Sequence, residues 1–236
     1  MFNWKSALVA GGTGGLGRAV ALAFLSEGAQ VIVTYRKEEE FVDLQRAAGT
    51  QSSKLTGRSV DVTDEAAIDR LFAGIRAEHG PLDILVNAVG GYAGGHRLWE
   101  MDPQVFPRML ALNLRATYTL ARAGARQMVT QGKGVIVNIA SKAAFDHQAG
   151  NGAYAASKAA ALALIDSLAA DLQGTGVRVN SVLPSIIDTE ANRRAMPGAD
   201  YARWPKPEEI ARVILFLCSD DAQVIHGAAI PVYGAR

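Results

Sequence analysis

Tyr154 and Lys158, in "YAASK", stand four residues apart at the start of a helical pattern, so both side chains share one helix face. Tyrosine is a poor acid or base near neutrality, with a reference pKa of about 10. An ammonium beside it favours the phenolate and lowers that value. Such a pair can pass a proton to or from an oxygen. On its own the spacing is ordinary helix surface. Ser141 ends the strand-like run "GVIVNIAS". Its hydroxyl can hold a carbonyl oxygen beside the phenol, or serve only as a turn or cap residue. Asn113 interrupts the apolar stretch "LALNLRATY", where an amide can bond a kinked backbone and hold a water.

A second chemistry lies near the N-terminus. "ALVAGGTGGLGRAVALAFL" places Gly11, Gly15 and Gly17 between a strand pattern and a helix pattern. Glycines there permit a tight turn and close approach of a pyrophosphate to the helix N–H groups. The next strand pattern ends "VIVTYRK". An acid at the Tyr35 position would favour NAD(H) through the ribose hydroxyl. Instead Arg36 and Lys37 follow, and a guanidinium pairs well with a phosphate dianion. NADP(H) is the expected dinucleotide, with Arg36 on the 2′-phosphate helped by Thr13; NAD(H) stays open. The plainer reading is that Arg36 and Lys37 begin a solvated helical turn.

These residues need a frame. Strands are expected near Ala7–Val9, Val31–Thr34, Leu55–Val60, Ile84–Asn87, Val135–Ile139, Val177–Leu183 and Ala229–Val232. Helices are expected near Gly15–Ser26, Glu38–Ala47, Glu65–Glu78, Pro103–Thr130, Ala153–Leu172 and Pro207–Ser219. The strand runs are uniformly apolar, as strands buried on both faces should be. Alternating strand and helix imply an α/β doubly wound parallel sheet with helices on both faces, a single domain over 1–236. The least regular segment, 185–205, is the expected substrate-binding loop.

Composition narrows the function. The formal net charge is +1, with Lys and Arg spread along the chain, which argues against nucleic-acid or anionic-membrane partners. No signal-peptide pattern opens the sequence, and no apolar run reads as long enough to span a bilayer. Cys218 is read as a small buried hydrophobe, and the chain as cytoplasmic. The four histidines are scattered without metal-ligand spacing.

The glycine turn, Asp61 in "VDVTD", Asn87 after the fourth strand, Asn113, Ser141, Tyr154 and Lys158 stand in the order of the short-chain dehydrogenase/reductase family, which the chain resembles over nearly its whole length. The resemblance implies a Rossmann-like fold. It implies Tyr154 as acid/base, Ser141 orienting the substrate, Lys158 on the nicotinamide ribose, and Asn113 supporting a water. The implied cofactor crevice comprises Gly11, Thr13, Gly15, Leu16, Gly17, Arg36, Asp61, Val62, Asn87, Gly90, Tyr154, Lys158, Pro184, Ile187 and Thr189. The sequence departs from the family pattern at Ala10, Ala88, Val89, Ser185 and the end "IPVYGAR".

"GGYAGG" after Asn87 resembles the dihydropteridine reductase branch, as do "SKAAFD" and "IDTEANRRAMPGADYARW". By that resemblance Tyr92 and Trp204 would wall the substrate pocket; His147 is a further pocket candidate. A flexible glycine loop without a substrate role is the alternative. Because a quinonoid pterin has no ketone oxygen to hold, the presence of Ser141 favours a carbonyl or secondary alcohol as substrate. The expectation is hydride transfer between nicotinamide C4 and a small-molecule carbonyl carbon. A pterin-like heterocyclic substrate is the rival, and a silent NADP(H)-binding sensor a more distant one. The apolar helices Pro103–Thr130 and Ala153–Leu172 suggest a homodimer or homotetramer.

Overall fold

The computed structural model describes residues 2, 3 and 5–234; Met1, Trp4, Ala235 and Arg236, all within the expected 1–236 domain, lie outside the described residues. The strands are β1 (Ser6–Ala10), β2 (Gln30–Tyr35), β3 (Leu55–Ser59), β4 (Ile84–Asn87), β5 (Gly134–Ile139), β6 (Val177–Pro184) and β7 (Ala229–Val232). They form one seven-stranded sheet in the order β3-β2-β1-β4-β5-β6-β7. Every pairing is parallel. The chain winds outward from β1 to β3, then returns to place β4 on the other side of β1. That reversal opens a crevice beyond the carboxyl ends of β1 and β4, where open α/β sheets bind ligands.

All of β1 and β4 is buried, which explains their unbroken apolar runs. On one face, α1 (Gly15–Ser26) and α8 (Pro207–Cys218) pack Phe24, Leu25, Ile210 and Ile214 against the sheet. Cys218 belongs to this layer, and burial pushes its thiol up to about 12, so it is an apolar filler. On the other face, α3 (Glu65–His79), α5 (Ala116–Gln131) and α6 (Gly152–Asp171) pack Ile68, Phe72, Leu120 and Ile165. Helix α2 (Glu38–Ala48) flanks β2. Local signals set several boundaries: Asp64 accepts from Ala66 and Ala67 N–H to start α3, and Pro207 opens α8.

Three expectations change. The stretch Pro103–Thr130 is not one α-helix. It consists of α4 (Val105–Met109), a π-helical turn (Leu110–Arg115) and α5. Residues 103 and 104 form the turn before it, with Asp102 accepting from Gln104 N–H. The segment 185–205 holds a short helix, α7 (Glu190–Ala195), and a 3-10 turn at Tyr201–Arg203. Finally, α6 is by length and composition apolar enough to cross a membrane, at 20 residues and mean hydropathy 1.2. Its hydropathy comes largely from alanine, and it packs as a core helix with Ser157 and Lys158 buried.

Candidate active site

The loop after β5 carries Ser141 past the edge of the sheet, and α6 brings Tyr154 to it. The Ser141 Oγ accepts from Ala143 N–H at 3.1 Å, and Ser141 lies close enough to the Tyr154 phenol to act on its pKa. One turn further along α6, Lys158 is 6 % exposed and its Nζ donates to the Ile139 carbonyl at 2.9 Å. With no carboxylate partner among the described residues, burial lowers the Lys158 pKa to about 8. Burial raises the Tyr154 pKa; the neighbouring Ser141 opposes this, and the nearby Tyr92 phenol adds to it. The expected lowering of the tyrosine pKa by Lys158 is therefore absent. The ammonium is directed to the end of β5, and desolvation dominates at the phenol.

Beneath these groups runs a buried polar chain. Asn113 lies in the π-helical turn, 1 % exposed. Its Nδ2 donates to the Gly91 carbonyl at 3.0 Å and to Ser157 Oγ at 2.9 Å, while its Oδ1 accepts from Gly91 N–H at 3.0 Å. Ser157 Oγ in turn donates to the Tyr154 carbonyl at 2.7 Å. Thr117 donates to the Asn113 carbonyl at 2.7 Å and accepts from Asn87 Nδ2 at 3.0 Å. Asn87 Nδ2 also donates to Asn138 Oδ1 at 3.0 Å, across the β4–β5 register. The chain of bonds thus links the sheet to the first turn of α6. The Asn113 amide is bonded to backbone and Ser157, with one acceptor position of its Oδ1 left. Asn87 likewise spends its amide inside the protein, its Oδ1 accepting from Val89 N–H.

The crevice has the features a dinucleotide needs. Gly11 adopts φ +74°, and a Cβ at Gly17 would run into the Gly11 carbonyl oxygen, so both positions demand glycine. Helix α1 starts at Gly14 without a side-chain cap or an acidic residue in its first turn, and Gly14 and Gly15 are exposed. Its first N–H groups lack a side-chain cap, which suits a phosphate. A Cβ at Gly15 would lie 2.8 Å from Thr189 Cγ2, and one at Gly90 would lie 3.2 Å from Lys158 Nζ. The glycine turn, Gly90, Lys158 and Thr189 therefore border one crevice. Pro184 ends β6 buried, and Ile187 packs on the core beside α1. Leu16 and Val62 bury their side chains in the two core layers and can offer a ligand only backbone. Asp61 accepts from Thr63 N–H and hydroxyl, which hold its carboxyl below the usual range, with Arg36 adding to the effect.

At the end of β2, the half-buried Tyr35 ring is held by two neighbours. It stacks on Phe41 at 4.9 Å and hydrogen-bonds Glu38. Arg36 is exposed and makes no ion pair among the described residues. Thr13 is not the free helper expected for a phosphate: its hydroxyl donates to Glu40 at 3.0 Å. On the substrate side, the Tyr92 ring meets the Tyr154 ring edge-on at 5.1 Å. Trp204 instead packs on Tyr201 at 5.0 Å, with no ring contact to Tyr92 or Tyr154 among the described residues. His147 is exposed, a ring nitrogen 3.2 Å from the Ala144 carbonyl. The sequence reading missed Ser157, Thr117, Asn138 and Asn151. Ser157 carried a signal, a hydroxyl on the buried face of "YAASK"; the others become meaningful only through the sheet register and loop packing.

A family model described as short chain dehydrogenase matches residues 5–199. A D-threitol dehydrogenase of Mycolicibacterium smegmatis is 34% identical over 239 residues, covering 98% of this chain and 92% of that protein. The solved structure of NAD+-bound xylitol dehydrogenase superposes with a TM-score of 0.91 at 27% identity, covering 99% of both chains. That of ElxO with NADP bound superposes with a TM-score of 0.92 at 26% identity, covering 98% of this chain and 97% of the other.

Proposed function

The chain belongs to the short-chain dehydrogenase family, and from that premise we propose that it interconverts a carbonyl compound and a secondary alcohol with NADP(H). The observation that carries this reading is the meeting of Ser141, Tyr154 and Lys158 beside the glycine crevice, with Ser141 near enough to the phenol to act on its pKa. The names of two similar proteins, a D-threitol and a xylitol dehydrogenase, favour an alcohol or its ketone over a heterocycle.

The dinucleotide, when bound, supplies or accepts the hydride. The α1 N-terminus, Gly11, Gly90, Lys158 and Thr189 would hold it, and Arg36 would reach its 2′-phosphate. Exposed Arg36 and the absence of an acid at Tyr35 support the phosphorylated form; the Glu40 carboxylate on Thr13 must give way to it. During reduction, Ser141 and Tyr154 donate to the carbonyl oxygen. As charge develops there, Tyr154 releases its proton to that oxygen. The raised phenol pKa keeps Tyr154 protonated at neutral pH, ready to act as an acid. Lys158 Nζ, with one donor on Ile139, has others left for a ribose hydroxyl.

Ser141→Ala tests the reading. Turnover of the best ketone with NADPH should fall about a hundredfold, the scale of a lost oxyanion donor. Full activity in this variant, with quinonoid dihydropterin outperforming every ketone, would replace the reading with pterin reduction.

A further inference from the structure

The loop "GGYAGG" makes contacts that the dinucleotide crevice does not require. The Tyr92 hydroxyl donates to Asn151 Oδ1 at 2.7 Å while its ring lies edge-on to Tyr154. Asn151 is the N-cap of α6, where an asparagine side chain ordinarily accepts from the first-turn N–H groups. Here it makes no such bond, and its carbonyl goes to Tyr92 instead. The loop is shaped for this. A Cβ at Gly94 would run into the Tyr92 hydroxyl and lie 2.7 Å from Asn151 Oδ1. Gly95, at φ +96°, donates its N–H to the Gly150 carbonyl at 3.0 Å. At the other end, Gly91 is gripped on both sides by Asn113. Both ends of the loop are thus fastened to elements that carry or support Tyr154.

We infer that Tyr92 and Asn151 form a tie that fixes this loop across one face of Tyr154, making Tyr92 a positioning residue for the phenol and the wall that limits substrate bulk on that side. The inference rests on Tyr154 acting as the proton donor. The ring accounts for the wall, since it lies edge-on to the Tyr154 ring and is itself 63% exposed. The hydroxyl accounts for the positioning, since its bond to Asn151 is the one side-chain hydrogen bond that holds the Tyr92 ring among the described residues.

The test is a double-mutant cycle on the intact protein. Tyr92→Phe and Asn151→Leu should each lower kcat for 2-butanone about fivefold, the scale of one neutral hydrogen bond. KM should stay within about twofold, and the double variant should be no worse than either single one. Asn151→Asp, which keeps an acceptor for the hydroxyl, should retain activity. Tyr92→Ala should raise the acetophenone-to-butanone ratio of kcat/KM about tenfold. Hydrogen exchange in the ligand-free protein gives a readout without turnover: amides of 91–95 and 150–155 should exchange faster in Tyr92→Phe and Asn151→Leu. Independent, additive losses, unchanged exchange or an unchanged ketone ratio would overturn the tie. If Tyr154→Phe remained active while exchange responded as expected, the catalytic reading would fail and the tie would stand.

Discussion

Lys158 is a lysine almost without access to water, and its behaviour follows from that. The fold depresses its pKa from 10.5 to about 8, so the charged form destabilises the folded state. Below about 8 both folded and unfolded states are protonated and the penalty is full; above 10.5 neither is, and it vanishes. The stability of the wild type relative to Lys158→Met should therefore rise by on the order of 3 kcal/mol between those values. Denaturant titrations across that window check it, and a flat difference would mean that the ammonium is not desolvated as described. At the other end of the crevice, Arg36→Ala should weaken NADPH by about 1.5–3 kcal/mol, the range for hydrogen bonds to charged groups, and leave NADH nearly unchanged. Calorimetric titration with both dinucleotides decides this, and equal losses would remove Arg36 from the phosphate. That Ser141, Tyr154 and Lys158 would share a site was an expectation from the family order of motifs, since their spacing alone is ordinary helix surface. Their proton affinities were not legible, because desolvation depends on what packs around them.

The π-helical turn is the element that most rearranges the site relative to its sequence. A run of apolar residues around 103–130 reads as a continuous helix, and the period alone does not reveal an inserted turn. Asn113 was the visible irregularity: a polar residue in an apolar stretch, now seen with its side chain holding Gly91 and Ser157. Its partners were hidden because Gly91 is 22 residues away along the chain and Ser157 is 44. Asn113→Ala should strand the Gly91 N–H and carbonyl and destabilise the protein by about 1–3 kcal/mol, with a loss of turnover as the Tyr154 support loosens. Thermal unfolding and a ketone assay measure the two effects. A variant as stable and active as wild type would make the buried chain incidental.

At the scale of the whole molecule, the parallel order β3-β2-β1-β4-β5-β6-β7 puts every strand's carboxyl end on one edge. The alternation of apolar runs and helical periods was enough to foresee that sheet. The same helices that cover it leave apolar residues outward: Ala156, Ala163 and Ala170 recur every seventh residue on α6, and Phe106, Tyr118 and Val129 are exposed on α4 and α5. We propose that these faces meet a second copy of the chain. Light scattering at micromolar concentration should give a dimer or tetramer, and a monomer would refute it. All of the chemistry argued for this crevice converges on one phenol, so Tyr154→Phe is the most direct test. The variant should bind NADPH within about twofold of wild type while ketone reduction falls at least about a hundredfold, within the range for lost general acid catalysis. Retention of most of the ketone activity by this variant, with NADPH still bound, would contradict the account.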